Sequence, residues 1–206
     1  MPGAFVVFEG GDGAGKSTQC RLLADALRAR GREVVLTREP GGTSIGEAIR
    51  EVLLGVGSQG MAARAEALLF AAARAQHAAE LIRPAVARGA VVISDRYLDS
   101  SVAYQGAARG LGEDQIADLS LWATEDLIPD LTVVLDVAPG VGLARAGDVN
   151  RMEAEPTDFH QVVRDAFLRR ADASPARYVV LRADQPVDTT AAHVLAAVLE
   201  HTQERG

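Results

Sequence analysis

An apolar run, AFVVFE (Ala4 to Glu9), passes directly into GGDGAGKST (Gly10 to Thr18). Gly10, Gly15, Lys16 and Ser17 fit the pattern G-x-x-x-x-G-K-[ST], in which a strand ends in a phosphate-binding loop and a helix follows. Glycines let successive backbone N–H groups turn toward phosphate oxygens, and the helix that opens near Lys16 adds its positive dipole end. On this reading Gly10, Gly11, Asp12, Gly13, Ala14, Gly15, Lys16, Ser17 and Thr18 form an ATP site. Lys16 bridges the β- and γ-phosphates, and the Ser17 hydroxyl ligates Mg²⁺. An ordinary glycine-rich turn needs neither the lysine nor the hydroxyl.

A phosphate loop demands a sheet behind it, and the rest of the chain supplies one. EVVLT (Glu33 to Thr37), AVVISD (Ala90 to Asp95), LTVVLDV (Leu131 to Val137) and RYVVLR (Arg177 to Arg182) read as further buried strands. Segments of helical periodicity lie between them: Lys16 to Arg30, Arg64 to Arg88, Glu113 to Leu127, Asp158 to Ala173 and Val187 to His201. Strands alternating with helices predict an α/β fold, a P-loop NTPase-type three-layer sandwich of about five parallel strands with helices on both faces. Residues 1–206 read as one domain. The least regular stretch, Gly140 to Pro156, reads as a flap, and Gly55 to Gly60 as an exposed loop.

Composition narrows the partners. With 21 Lys+Arg against 28 Asp+Glu, the net charge of −7 argues against a nucleic-acid coat protein. An anionic ligand must then meet a local group of arginines. The single cysteine, Cys20, cannot form an internal disulfide, and the start Met-Pro-Gly-Ala lacks the regions of a signal peptide. A cytoplasmic protein is expected. The most apolar helical stretch carries charges too closely spaced for a membrane span.

The arginines converge on the expected ligand edge of the sheet. TREPGGT (Thr37 to Thr43) follows the second strand and DRYLDSSVAYQG (Asp95 to Gly106) the third, bringing Arg38, Arg96, Arg50 and Arg109 toward the phosphate loop. Their planar forks suit a phosphate dianion, so a second anionic substrate is implied. Asp95 suits the acidic element near the metal, or alternatively a helix cap. Phe70 and Arg74, four apart on a helix, present either a ring and a donor to a base or a core residue with a snorkelling arginine. No guanine-reading Asn-Lys-x-Asp is present. Two other classes remain: a kinase for another nucleoside or nucleotide, and an ATPase driving a macromolecular partner.

Taken in order, FEGGDGAGKST, TREPGGT, LLFAAARAQH and DRYLDSSVAYQG resemble the bacterial thymidylate kinase family. The resemblance implies transfer of the γ-phosphate of ATP to dTMP, with Mg²⁺, in a homodimer, whose contact the apolar helices at Arg64 to Arg88 and Glu113 to Leu127 could form. It implies that Phe70 stacks on thymine, Arg74 donates to its O4, Gln105 lies at the base edge and Tyr104 lies under the sugar. Arg96 would bind the dTMP phosphate, with Arg38 and Arg50 in support. Asp12 would face the sugar and phosphate, and Asp95 would orient Arg96 and the metal's water. Part of the family carries a transition-state arginine where this chain has Gly13, so the flap must supply it here: Arg151 from NRME (Asn150 to Glu153) first, Arg145 second. RADQPVD (Arg182 to Asp188) resembles the loop that cups adenine.

Overall fold

The computed structural model describes residues 3–145 and 151–203, so the middle of the expected flap, 146–150, lies outside the described residues. Five strands form one all-parallel sheet: β1 (Ala4–Glu9), β2 (Val34–Arg38), β3 (Val91–Asp95), β4 (Leu131–Asp136) and β5 (Tyr178–Arg182), in the order β2-β3-β1-β4-β5. β1 pairs with β3 from Ala4↔Val91 to Phe8↔Asp95 and with β4 from Val6↔Leu131 to Glu9↔Val134. The strand that ends in the phosphate loop is therefore central.

Alternation along β1 decides which helices cover which face. Val6 and Phe8 pack with Leu23 and Leu27 of α1 (Lys16–Arg28) and with Val194 and Val198 of α9 (Val187–Gln203). Phe5 and Val7 pack on the other face with Ala67 of α3 (Ala63–His77), Ala85 of α4 (Arg83–Ala87), Leu98 of α5 (Leu98–Ser101) and Ile116 of α6 (Glu113–Ala123). On that same face Val134 of β4 meets Val163 and Phe167 of α8 (Thr157–Ala173). Each fully buried Val, Leu or Phe contributes about 1.5–3 kcal/mol. Both faces of the sheet are thus covered, as its near-continuous apolar strands require.

Four segments depart from expectation. Ser44–Leu54 is a helix, α2, capped by the Thr43 hydroxyl, which accepts from the Gly46 N–H at 3.0 Å. The long helix expected from Arg64 to Arg88 is α3, a wide π-type stretch at Ala78–Ile82, and α4. After β3 the chain continues through α5 into a second π-type stretch, Val102–Ala108, where Arg109 N–H bonds the Tyr104 carbonyl at 2.9 Å. Extra residues in a helical turn re-aim the side chains around them, here Tyr104 and Gln105. The first part of the expected flap is ordered as α7 (Pro139–Arg145). No described helix is long and apolar enough to cross a membrane.

Candidate active site

The loops at the carboxyl ends of β1, β2, β3 and β5 enclose a cavity of about 700 Å³. Asp12 to Thr18 line it, together with Arg38, Arg50, Phe70, Asp95, Arg96, Tyr104, Gln105 and Arg145. Ala183, Gln185, Pro186 and Val187, from the stretch expected to cup adenine, also line it. Most of the expected site residues therefore share one space.

The phosphate loop is shaped by a close backbone approach. Gly13 has φ +70, and a Cβ there would run into the carbonyl oxygen of Gly142 in α7. Any side chain at position 13, an arginine included, is excluded unless α7 moves. Lys16 closes the loop on itself, its Nζ donating to the carbonyls of Gly10 at 3.0 Å and Gly11 at 2.7 Å. Burial and the neighbouring Arg96 push the Lys16 ammonium below its ordinary range, against the pull of Asp95, Asp12 and Glu9. An incoming polyphosphate would add further negative charge beside this buried cation and favour its charged form.

Ser17 Oγ donates to Asp95 Oδ2 at 2.5 Å. Among the described residues no group of three or more His, Cys, Asp or Glu could hold a metal. Two hard oxygen donors side by side, next to a phosphate cradle, fit Mg²⁺ that arrives on a nucleotide and keeps most of its water. The protein would complete the ion's shell rather than build it.

Arg96 lies at the centre. It takes φ +73, a left-handed conformation uncommon for a residue with a side chain, held by its N–H to the Phe8 carbonyl at 2.9 Å and its carbonyl from the Ser94 hydroxyl at 2.8 Å. Its Nη1 donates to the Gly10 carbonyl at 3.2 Å and to Ser100 Oγ at 3.0 Å. Its Nη2 donates to Asp12 Oδ1 at 2.5 Å and to the Tyr104 hydroxyl at 3.3 Å. Burial works against this charge, but Tyr104, Asp12, Asp95 and Glu9 hold the guanidinium above its usual range. Burial also works against the Asp12 carboxylate, while Arg96, then Lys16 and the Tyr104 hydroxyl at 2.7 Å, keep it below the usual carboxylate range.

Other expected residues sit differently. Arg74 is 2% exposed and does not line the cavity. It donates from Nε to Glu39 Oε2 (2.8 Å), from Nη1 to Ser120 (3.0 Å), and from Nη2 to the Tyr97 carbonyl (3.2 Å) and Ser101 (2.9 Å). Four of its five N–H groups are committed to the wall behind the site. Arg151 is likewise not at the cavity: its Nε donates to the Leu53 carbonyl at 3.1 Å, and its Nη1 lies 2.6 Å from Glu66 Oε2. Arg145, the second choice, does line it, with Nη1 donating to the Ala183 carbonyl at 2.9 Å. Arg109 turns from the other arginines to Glu155 at 2.7 Å and packs over Phe159.

A family model described as thymidylate kinase matches residues 8–194. The chain belongs to the thymidylate kinase family. A thymidylate kinase of Pseudomonas fluorescens (strain SBW25) is 55% identical over 201 residues, covering 96% of this chain and 94% of that protein. One from Clavibacter sepedonicus is 52% identical over 200 residues, covering 95% and 94%. The crystal structure of thymidylate kinase from Ehrlichia chaffeensis superposes with a TM-score of 0.80 at 34% identity, covering 97% of this chain and 99% of that one. The relatives and the family model thus run through every loop of the site.

Four buried carboxylates escaped the sequence reading. Glu9 at the end of β1, Glu39, Glu66 and Asp99 are each at most 6% exposed. Glu9 accepts the Tyr97 N–H at 2.9 Å, the Ser100 N–H at 3.0 Å and the Ser100 hydroxyl at 2.6 Å, so it sets the turn that carries Arg96. Glu39 takes Arg74 and, at 3.0 Å, His77 Nδ1. An acidic residue closing an otherwise apolar strand was the available signal for Glu9.

Proposed function

We propose that this chain transfers the γ-phosphate of ATP to the phosphate of dTMP, giving dTDP and ADP. What carries the reading is that the phosphate loop, Arg96, and the aromatic pair Phe70 and Tyr104 line one continuous cavity. A donor and a nucleotide acceptor then meet without crossing solvent.

The transfer itself requires no covalent intermediate: an acceptor phosphate oxygen forms a bond to the γ-phosphorus as the bond to the β-bridging oxygen breaks. Lys16 and the loop amides hold the donor, with adenine against Gln185 to Val187. Arg96, fixed by Asp12, Ser100 and Tyr104, presents the acceptor phosphate in line, supported by Arg38 and Arg50. Mg²⁺ carried in with ATP, held by Ser17 and Asp95, would offset charge on the β- and γ-phosphates. Arg145 is the flap-side arginine best placed to stabilise the group in flight and exclude water. Phe70 stacks on the pyrimidine, Tyr104 lies under the sugar and disfavours a 2′-hydroxyl, and Gln105 meets the base edge. Arg74 acts chiefly as the buried support of that wall, with one N–H left for O4.

The same reading makes residues 1–206 one kinase domain acting in the cytoplasm, with a flap rooted at about 140–156. It also makes the chain a homodimer. Leu68 on α3 and Trp122 on α6, 59% and 81% exposed, support pairing through those helices. The deciding assay is ADP release from Mg·ATP with dTMP, dUMP, dCMP, thymidine or no acceptor. Strong stimulation by dTMP, weaker by dUMP and none by thymidine is expected. ADP release indifferent to the acceptor would overturn the reading.

A further inference from the structure

We infer that Glu66, a residue outside the cavity, sets base choice by fixing which atom of the Gln105 amide faces the pyrimidine. On the dTMP reading above, Glu66 governs specificity from behind the cavity wall.

Glu66 lies on α3 one turn before Phe70 and is fully buried. Three side chains converge on its carboxylate. Gln105 Nε2 donates to Oε1 at 2.8 Å, Arg109 Nε lies 3.5 Å from the same oxygen, and Arg151 Nη1 lies 2.6 Å from Oε2. Gln105 and Arg109 both donate to Oε1, which is committed as an acceptor, while Oε2 lies against the Arg151 guanidinium without an aligned hydrogen bond. The Gln105 amide must therefore turn its NH₂ inward.

That leaves Gln105 Oε1. Gln105 lines the cavity, and among the described residues no donor is directed at this oxygen. An acceptor presented to the base edge matches the N3–H of thymine or uracil. Cytosine offers a lone pair at N3, so a buried acceptor would face another acceptor, a mismatch that specific sites exploit for strong rejection. A glutamine with no inward partner would gain nothing from this position, because its amide flips and serves either base. Glu66 removes that freedom, making it a positioning residue for the specificity of the reaction. Arg151 and Arg109 serve the same end by holding the Glu66 carboxylate in place.

The test is the ratio of kcat/KM for dTMP to that for dCMP in the wild type, in Glu66→Met, which fills the site without an acceptor, and in Glu66→Asp. The aspartate keeps the charge between the arginines but withdraws it by one methylene, and it carries the test if the methionine variant fails to fold. Loss of one oriented hydrogen bond should lower the ratio by about tenfold or more in either variant. A residue that only supported the fold would lower both values together. A ratio within about twofold of wild type in the folded variants, whatever the fall in activity, would overturn the inference alone. A wild type that does not favour dTMP over dCMP would overturn the proposed function with it.

Discussion

Arg96 Nη2 and Asp12 Oδ1 stand 2.5 Å apart although 84 residues separate them in the chain. The pair ties the end of β3 to the phosphate loop, joining the groups proposed to hold donor and acceptor. Arg96→Lys should break it. Lysine carries a point charge and cannot serve Gly10, Ser100, Asp12 and Tyr104 from two nitrogens at once. The expected loss in kcat/KM for dTMP is about 100-fold or more, measured by ADP release with an unchanged circular dichroism spectrum. A loss under about fivefold would show that the fork geometry is dispensable.

The two arginines flanking 146–150 should behave in opposite ways. Arg145→Ala should lower kcat by about 100-fold or more with little change in the KM for dTMP, the pattern of a contact made only in the transition state. Arg151→Ala should act through Glu66, lowering thermal stability and weakening dTMP binding. Steady-state kinetics on both variants decide it, and the reverse assignment would return the transition-state role to Arg151.

Arg74→Met should destabilise the fold rather than only weaken substrate binding. Removing one partner of a buried ion pair costs about 3–5 kcal/mol, because Glu39 is left desolvated beside His77 without its guanidinium partner. Urea unfolding of the nucleotide-free protein measures this directly. Unchanged stability would mean that the arginine serves the ligand alone.

Glu9 should give the stability curve a slope near neutrality. Burial first, then Asp99, raises its pKa from 4.5 to about 7, against Arg96, Ser100 and Tyr97. The folded state therefore favours the protonated carboxyl. Its contribution is complete below about pH 4.5 and is lost as pH rises through about 7. The stability of wild type relative to Glu9→Gln should fall across that window and stay level above it. Urea unfolding at a series of pH values tests this, and a difference independent of pH would remove Glu9 as the cause.

The strands were legible because both faces of the sheet are covered, which leaves apolar runs such as AFVVFE in plain view. The phosphate loop was legible because backbone chemistry there requires particular residues at fixed spacing. What stayed hidden depends on tertiary partners. Nothing local to Arg74 says that Glu39, Ser120, Tyr97 and Ser101 will absorb its donors, and nothing local to Arg151 points to Glu66. The helix at Ser44–Leu54 did announce itself through Thr43, a cap signal overshadowed by the glycines before it. The π-type turn at Val102–Ala108 left no comparable trace, since its extra residue is set by packing.

The close approach of Gly13 to Gly142 brings two backbones together with no side chain between them. Packed interiors transmit displacement rather than absorb it, and here there is nothing soft to compress. When phosphates fill the loop, a shift at Asp12 or Gly13 would press directly on α7 and on the arginine at its end. The stem of the expected flap would then feel the donor's arrival through main chain, a contact that point mutations of surrounding side chains would leave in place.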